Sequence, residues 1–129
     1  MLDIPPMSKH QERIICMMLK QVWGVDSPKP WQLRALCTTI FWQAHQPSAP
    51  ILCLARKTAD GKSLVIYGTA SGRRGVHVVC LPLVAVGCNQ LSSILEQAKP
   101  GSGIHVEHLD TIRDRGEAKS FASYLCNLR

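Results

Sequence analysis

The sequence predicts an α/β domain built on a parallel sheet, and three observations predict it. Short apolar runs at 51–55, 76–81 and 104–106 are continuous rather than alternating, the pattern of parallel strands buried on both faces. Each run is followed by a stretch compatible with a helix, as a crossover connection requires. The step Gly61-Lys62-Ser63 stands just after the first run. A strand that ends in a tight loop and turns into a helix aims backbone N–H groups and the positive end of the helix dipole at one point, where a phosphate would sit. The expected element order is α-α-β-α-β-α-β-α, with ligands at the carboxyl ends of the strands.

Taken in order, residues 1–7 read as a loose leader. Ser8 then caps a stretch in which Ile14, Ile15, Met18, Leu19 and Val22 recur at helical spacing, with Glu12 close to the acidic position that follows a serine cap. This helix is expected to end near Trp23 and Gly24. Asp26-Ser27-Pro28-Lys29-Pro30 reads as an extended loop, because proline fixes φ and pushes its predecessor out of helical geometry. A second helix starts near Pro30 or Trp31, carries Leu33, Leu36, Cys37 and Ile40 inward, and ends at the proline-bounded segment 46–50. Residues 62–70 and 83–98 are long enough for crossover helices, with Ser71-Gly72 and Pro100-Gly101-Ser102-Gly103 as stops. From Arg115 onward, Phe121, Tyr124, Leu125 and Leu128 again keep helical spacing. No internal repeat or low-complexity segment interrupts this pattern.

The 129 residues suffice for one domain with a real core and not for two full nucleotide-binding lobes. Fifteen Lys and Arg against nine Asp and Glu give a formal charge of +6, which favours polyanionic partners without naming one. Six cysteines, at 16, 37, 53, 80, 88 and 126, show no Cys-x-x-Cys spacing, and Cys53 and Cys80 lie inside apolar runs. That usage points to a reducing compartment. With no apolar segment of bilayer length and no signal-peptide core, the expected location is intracellular, nucleus or cytoplasm undecided, with no membrane partner.

In the loop 56–63, Lys62 would neutralise β/γ-phosphate oxygens as a point charge, the Ser63 hydroxyl would ligate Mg²⁺, and Gly61 would let the backbone approach. An ordinary surface turn with a solvated lysine is the alternative. Elsewhere, His105, Glu107 and His108 do not converge on a metal, since alternation along a strand separates His108 from the other two. Arg73-Arg74 reads as a solvated turn, Trp23 as a packing residue, and Trp31 and Trp42 as partial core.

Three separated blocks resemble the first motor lobe of RecQ-family DNA helicases, within the DEAD/DEAH-box-like superfamily. Leu19-Lys20-Gln21-Val22-Trp23-Gly24 followed by Lys29 and Gln32 is similar to the family's adenine-recognising motif. A glutamine amide donates and accepts at once and so distinguishes adenine from guanine. Pro28 stands where the family usually has Phe, and Lys29 where it usually has Arg, which weakens stacking and bidentate reach. Thr58-Ala59-Asp60-Gly61-Lys62-Ser63-Leu64 resembles the family's phosphate loop. There Ala59 replaces a glycine, at a cost of about 1 kcal/mol if φ is positive, and Asp60 sets a carboxylate near the triphosphate. The run from Gly75 to Ala85, with Gln90 after it, resembles the strand and turn that touch the tracking single strand; Leu81 stands in place of a serine, and Pro82, Leu83 and Gln90 would meet the DNA.

The resemblance implies a RecA-like P-loop NTPase lobe with a parallel sheet, truncated and preceded by two N-terminal helices. Residues 8–129 would form a partial helicase ATP-binding domain. It would bind ATP through Lys29, Gln32, Thr58, Ala59, Asp60, Gly61, Lys62 and Ser63, with Mg²⁺ on Ser63, and part of a single-stranded DNA track. The family is an ATP-dependent 3'-5' DNA helicase. These 129 residues carry neither the Asp-Glu-x-His motif nor the second lobe with its arginine finger, so no turnover of ATP is expected, and the missing segments or a parent-like protein become expected partners. A stand-alone regulatory module and a relic with no ligand are the alternatives. An incomplete sheet is expected to make the isolated chain oligomerise or aggregate.

Overall fold

Ser8 starts the first helix as expected. In a computed structural model, which describes residues 6–42, 53–57, 59–75, 77–80, 84–106 and 115–127, the Ser8 hydroxyl accepts the Gln11 N–H at 3.2 Å and the Gln11 side chain accepts the Ser8 N–H at 3.0 Å. This reciprocal pair satisfies two donors that the helix itself leaves without partners, and it makes Gln11, not Glu12, the third residue of the helix. Helix α1, Lys9–Trp23, ends at Gly24 with φ 69°, and the Gly24 N–H closes the last turn on Lys20 O.

Pro28 and Pro30 hold Lys29 extended, at φ −69° and ψ 148°. Pro30 then opens helix α2, Pro30–Cys37, at the position where a missing N–H costs nothing. Past Cys37 the chain continues as a short π-helical segment, Thr38–Trp42. Helix α3 is Lys62–Gly72, α4 is Val84–Gln97 and α5 is Arg115–Asn127. The chain divides into two compact units, Met1–Arg73 and Arg74–Arg129.

In the first unit α1, α2 and α3 pack pairwise against one another. Ile15, Leu19 and Leu36 are fully buried between them, with Trp23, Leu33, Ala35, Cys37, Val65 and Tyr67 around that centre. Each fully buried Leu or Ile contributes roughly 1.5–3 kcal/mol. Gly68 makes the close approach of α3 possible, since a Cβ there would stand 2.7 Å from Leu36 Cδ2 and 3.3 Å from Leu19 Cδ2. Polar side chains tie the same surfaces: the Trp23 indole N–H donates to Ser71 Oγ at 2.8 Å, and the Thr39 and Thr69 hydroxyls share a hydrogen bond of 2.9 Å. Trp23 also leans on Tyr67, ring centroids 5.2 Å apart. Burial pushes the Cys16 and Cys37 thiols up, and at Cys16 the Glu12 charge acts in the same direction. All six cysteines are free thiols.

The parallel sheet, and with it the RecA-like α/β lobe, is corrected by this architecture: the described residues form helices and contain no strand or bridge. Residues 51, 52, 76 and 81 of the three apolar runs lie outside the described residues, and the remainder take part in no strand or bridge. The carbonyls of Arg56 and Lys57, which a strand would offer to a neighbour, accept the Lys62 ammonium instead. In the second run Val78 and Val79 are 74% and 48% exposed, unlike residues of a strand buried on both faces. An apolar run is a strand only when another extended segment takes its N–H and C=O groups. The helices expected between the runs do form, at nearly the bounds the sequence indicates. Residues 1–5, the proline-bounded segment 46–50, Glu107, His108 and Leu128 lie outside the described residues.

Candidate functional site

The amino ends of α2 and α3 meet through side chains that the sequence separates widely. Gln32, on the first turn of α2, accepts the Lys29 N–H on Oε1 at 2.8 Å and donates from Nε2 to the Gly61 carbonyl at 2.9 Å. It is 5% exposed, and both ends of its amide are engaged by the backbone. Gly61 caps α3 at φ 85°, and a Cβ there would fall 2.7 Å from Gln32 Nε2. Both the left-handed backbone and the close approach of the amide therefore require glycine at this position.

Lys29 reaches the same loop. Its ammonium pairs with Asp60 Oδ1 at 2.6 Å and donates to the Asp60 carbonyl at 3.2 Å. The hydrogen bond from Lys29 holds the Asp60 carboxyl below its ordinary value, with the charges of Lys29, Arg56 and Lys57 acting in the same direction. Ala59 sits at φ 60°, the left-handed region in which an alanine is strained. Lys62, the first residue of α3, turns back into the loop and donates to Arg56 O at 2.9 Å and Lys57 O at 3.0 Å. The Arg56 and Lys57 carbonyls thus hold an ammonium at the amino end of a helix. The Ser63 side chain is hydrogen-bonded to the Tyr67 hydroxyl; burial raises the Tyr67 phenol and that bond opposes the rise, so the phenol is neutral at pH 7.

Seven of the sequence-predicted residues, Lys29, Gln32, Ala59, Asp60, Gly61, Lys62 and Ser63, fall in this one region. Thr58 lies outside the described residues, as do Pro82 and Leu83. Gln90 is half-buried on α4, in the second unit. Among the described residues no group of three or more His, Cys, Asp or Glu side chains converges to hold a metal ion, and no helix is long and apolar enough to cross a membrane. Two features escape sequence reasoning. One is the Lys29–Asp60 ion pair. The other is the Arg56 guanidinium, 4.8 Å above the ring centre of Trp31. Their partners lie far apart in sequence, and neither residue type alone signals the contact.

Comparison with protein-family models, curated proteins and solved structures gives no match for this chain.

Proposed function

We propose that the chain is an ATP-binding portion of a RecQ-like DNA helicase, holding ATP with Mg²⁺ and part of a single-stranded DNA track without hydrolysing the nucleotide by itself. One observation carries the nucleotide part: the adenine-type block and the phosphate-type loop touch directly. Gln32 bonds Gly61 across 29 positions, and Lys29 bonds Asp60 across 31, beside the curled Lys62 ammonium. Lys62 is satisfied by neutral carbonyls, and exchanging them for anionic phosphate oxygens gives stronger, charge-assisted bonds. The Gln32 amide, buried and bonded to backbone at both ends, would have to release one of those bonds to meet an adenine edge, which an amide matches with one donor and one acceptor. Ser63, on the first turn of α3, is the residue that would hold the Mg²⁺, and the metal would supply charge neutralisation across the phosphates. The net positive charge supports a polyanionic partner for the track.

Equilibrium binding of a fluorescent ATP analogue with Mg²⁺ tests this reading, with GTP as competitor. Lys62→Ala removes one charge-assisted contact worth about 2 kcal/mol and should weaken binding roughly thirtyfold. Gln32→Ala should weaken it and erode the preference for adenine. A folded chain that shows no saturable binding, or that binds equally with Lys62→Ala, would sink the proposal.

The Lys29–Asp60 pair favours a second reading, a regulatory or degenerate module in which an internal carboxylate occupies the cation that a phosphate would use. Asp60→Asn separates the two. A gain in ATP affinity above a measurable starting value fits a working site that is partly masked, whereas binding that appears only in the variant fits the degenerate module.

A further inference from the structure

We propose that Arg56 and Trp31 together form the platform on which the nucleobase stacks, a role separate from the edge contact of Gln32. The inference rests on the nucleotide-binding proposal above and adds to it the residues that hold the face of the base. The Arg56 guanidinium lies 4.8 Å from the Trp31 ring centre, within the range of a cation–π contact. Arg56 is exposed and Trp31 half-exposed, so this planar pair stands at the surface and not in the core. An exposed guanidinium–indole pair offers a nucleobase both dispersion and cation–π attraction.

The backbone places this pair in register with the phosphate loop. The Arg56 carbonyl accepts the Lys62 ammonium at 2.9 Å, so the residue that carries the guanidinium also fixes the phosphate-binding cation. Trp31 directly precedes Gln32 on the first turn of α2, and the Gln32 amide is bonded to Gly61. The face of the base would therefore be met by Trp31, from the first turn of α2, and by Arg56, whose carbonyl holds the Lys62 ammonium. The amide of Gln32, engaged by the backbone at both ends, cannot hold a base by itself. An exposed aromatic–guanidinium stack supplies the area that this amide lacks.

The test measures Mg²⁺-dependent binding of ATP, adenosine and inorganic tripolyphosphate to the full chain by calorimetry, for the natural sequence, Trp31→Ala, Trp31→Phe and Arg56→Ala. Trp31→Ala and Arg56→Ala are expected to weaken ATP about tenfold, the loss typical of one base–aromatic stack. They should leave tripolyphosphate affinity unchanged, and Trp31→Phe should restore most of the ATP affinity. Equal losses for ATP and tripolyphosphate, or none for either, would overturn the platform while leaving the nucleotide site intact. Failure of the natural chain to bind both ATP and tripolyphosphate would overturn the nucleotide site and the platform with it. A circular-dichroism spectrum of each variant, matched to the natural chain, excludes misfolding as the cause of a loss.

Discussion

Ala59 is the sharpest handle on the loop. Among the described residues it is the one non-glycine position with positive φ, at 60°, and it lies two residues before Gly61, itself at 85°. An L-residue in the left-handed region loses roughly 1–2 kcal/mol through the clash of Cβ with the following carbonyl. Glycine has no Cβ, but it loosens the unfolded chain and returns about 0.4–1 kcal/mol of that gain. The difference leaves Ala59→Gly more stable by about 0.5–1 kcal/mol, which for a core the size of the first unit raises Tm by about 2–8 °C. Ala59→Val should move the other way and further, because a β-branched side chain tolerates positive φ least. Thermal melts of the full chain followed by far-UV circular dichroism, with urea titration as an independent scale, would measure both. An unchanged or lowered Tm for Ala59→Gly, with Ala59→Val equal to the natural chain, would refute the assignment of strain to this loop.

Three further outcomes follow from the packing and charge. Gly68→Ala gains helix propensity but drives its new methyl into Leu36 and Leu19, which are fully buried and must shift within the packed core; a net loss of about 1–2 kcal/mol is expected in urea titration. Ser71→Ala strands the buried Trp23 indole N–H and should cost about 1–2 kcal/mol, with a shift in tryptophan fluorescence that Ser71→Thr does not produce. The Asp60 carboxyl is held below its ordinary value near 3.8, so the stability it lends is present above that pH and disappears as pH falls through its lower folded value. In Asp60→Asn that acid-side slope should be absent from a series of melts between pH 5 and pH 2, while an unchanged slope would remove the Lys29 hydrogen bond from the account.

Much of the helical framework was legible because its signals are local. Ser8 as cap, Gly24 as stop, Pro30 as first residue of α2 and the apolar spacing through Leu33, Leu36 and Cys37 all act within one or two turns. The bounds of α3 and α4 follow equally from residues close in sequence. The sheet was misread for the opposite reason. Val78 and Val79 have the composition of a buried strand, but strand formation depends on a second extended segment, which no window of sequence contains. The cluster at the amino ends of α2 and α3 was legible in its members and not in its bonding: Gln32 reads as a base-edge contact and in the fold bridges two backbone groups.

The sequence by itself determined the helices of the first unit, the glycine at position 61 and the set of polar residues beside it, because capping, proline geometry and amphipathic spacing are properties of neighbours. Only the tertiary structure decided which charges and amides meet. Lys29 with Asp60, Gln32 with Gly61 and Arg56 with Trp31 join residues 25 to 31 positions apart. Those contacts exist because α1, α2 and α3 close around Ile15, Leu19 and Leu36 and bring the ends of α2 and α3 together. Burial of apolar surface is non-directional, so it fixes such meetings only through the shape of the packed helices.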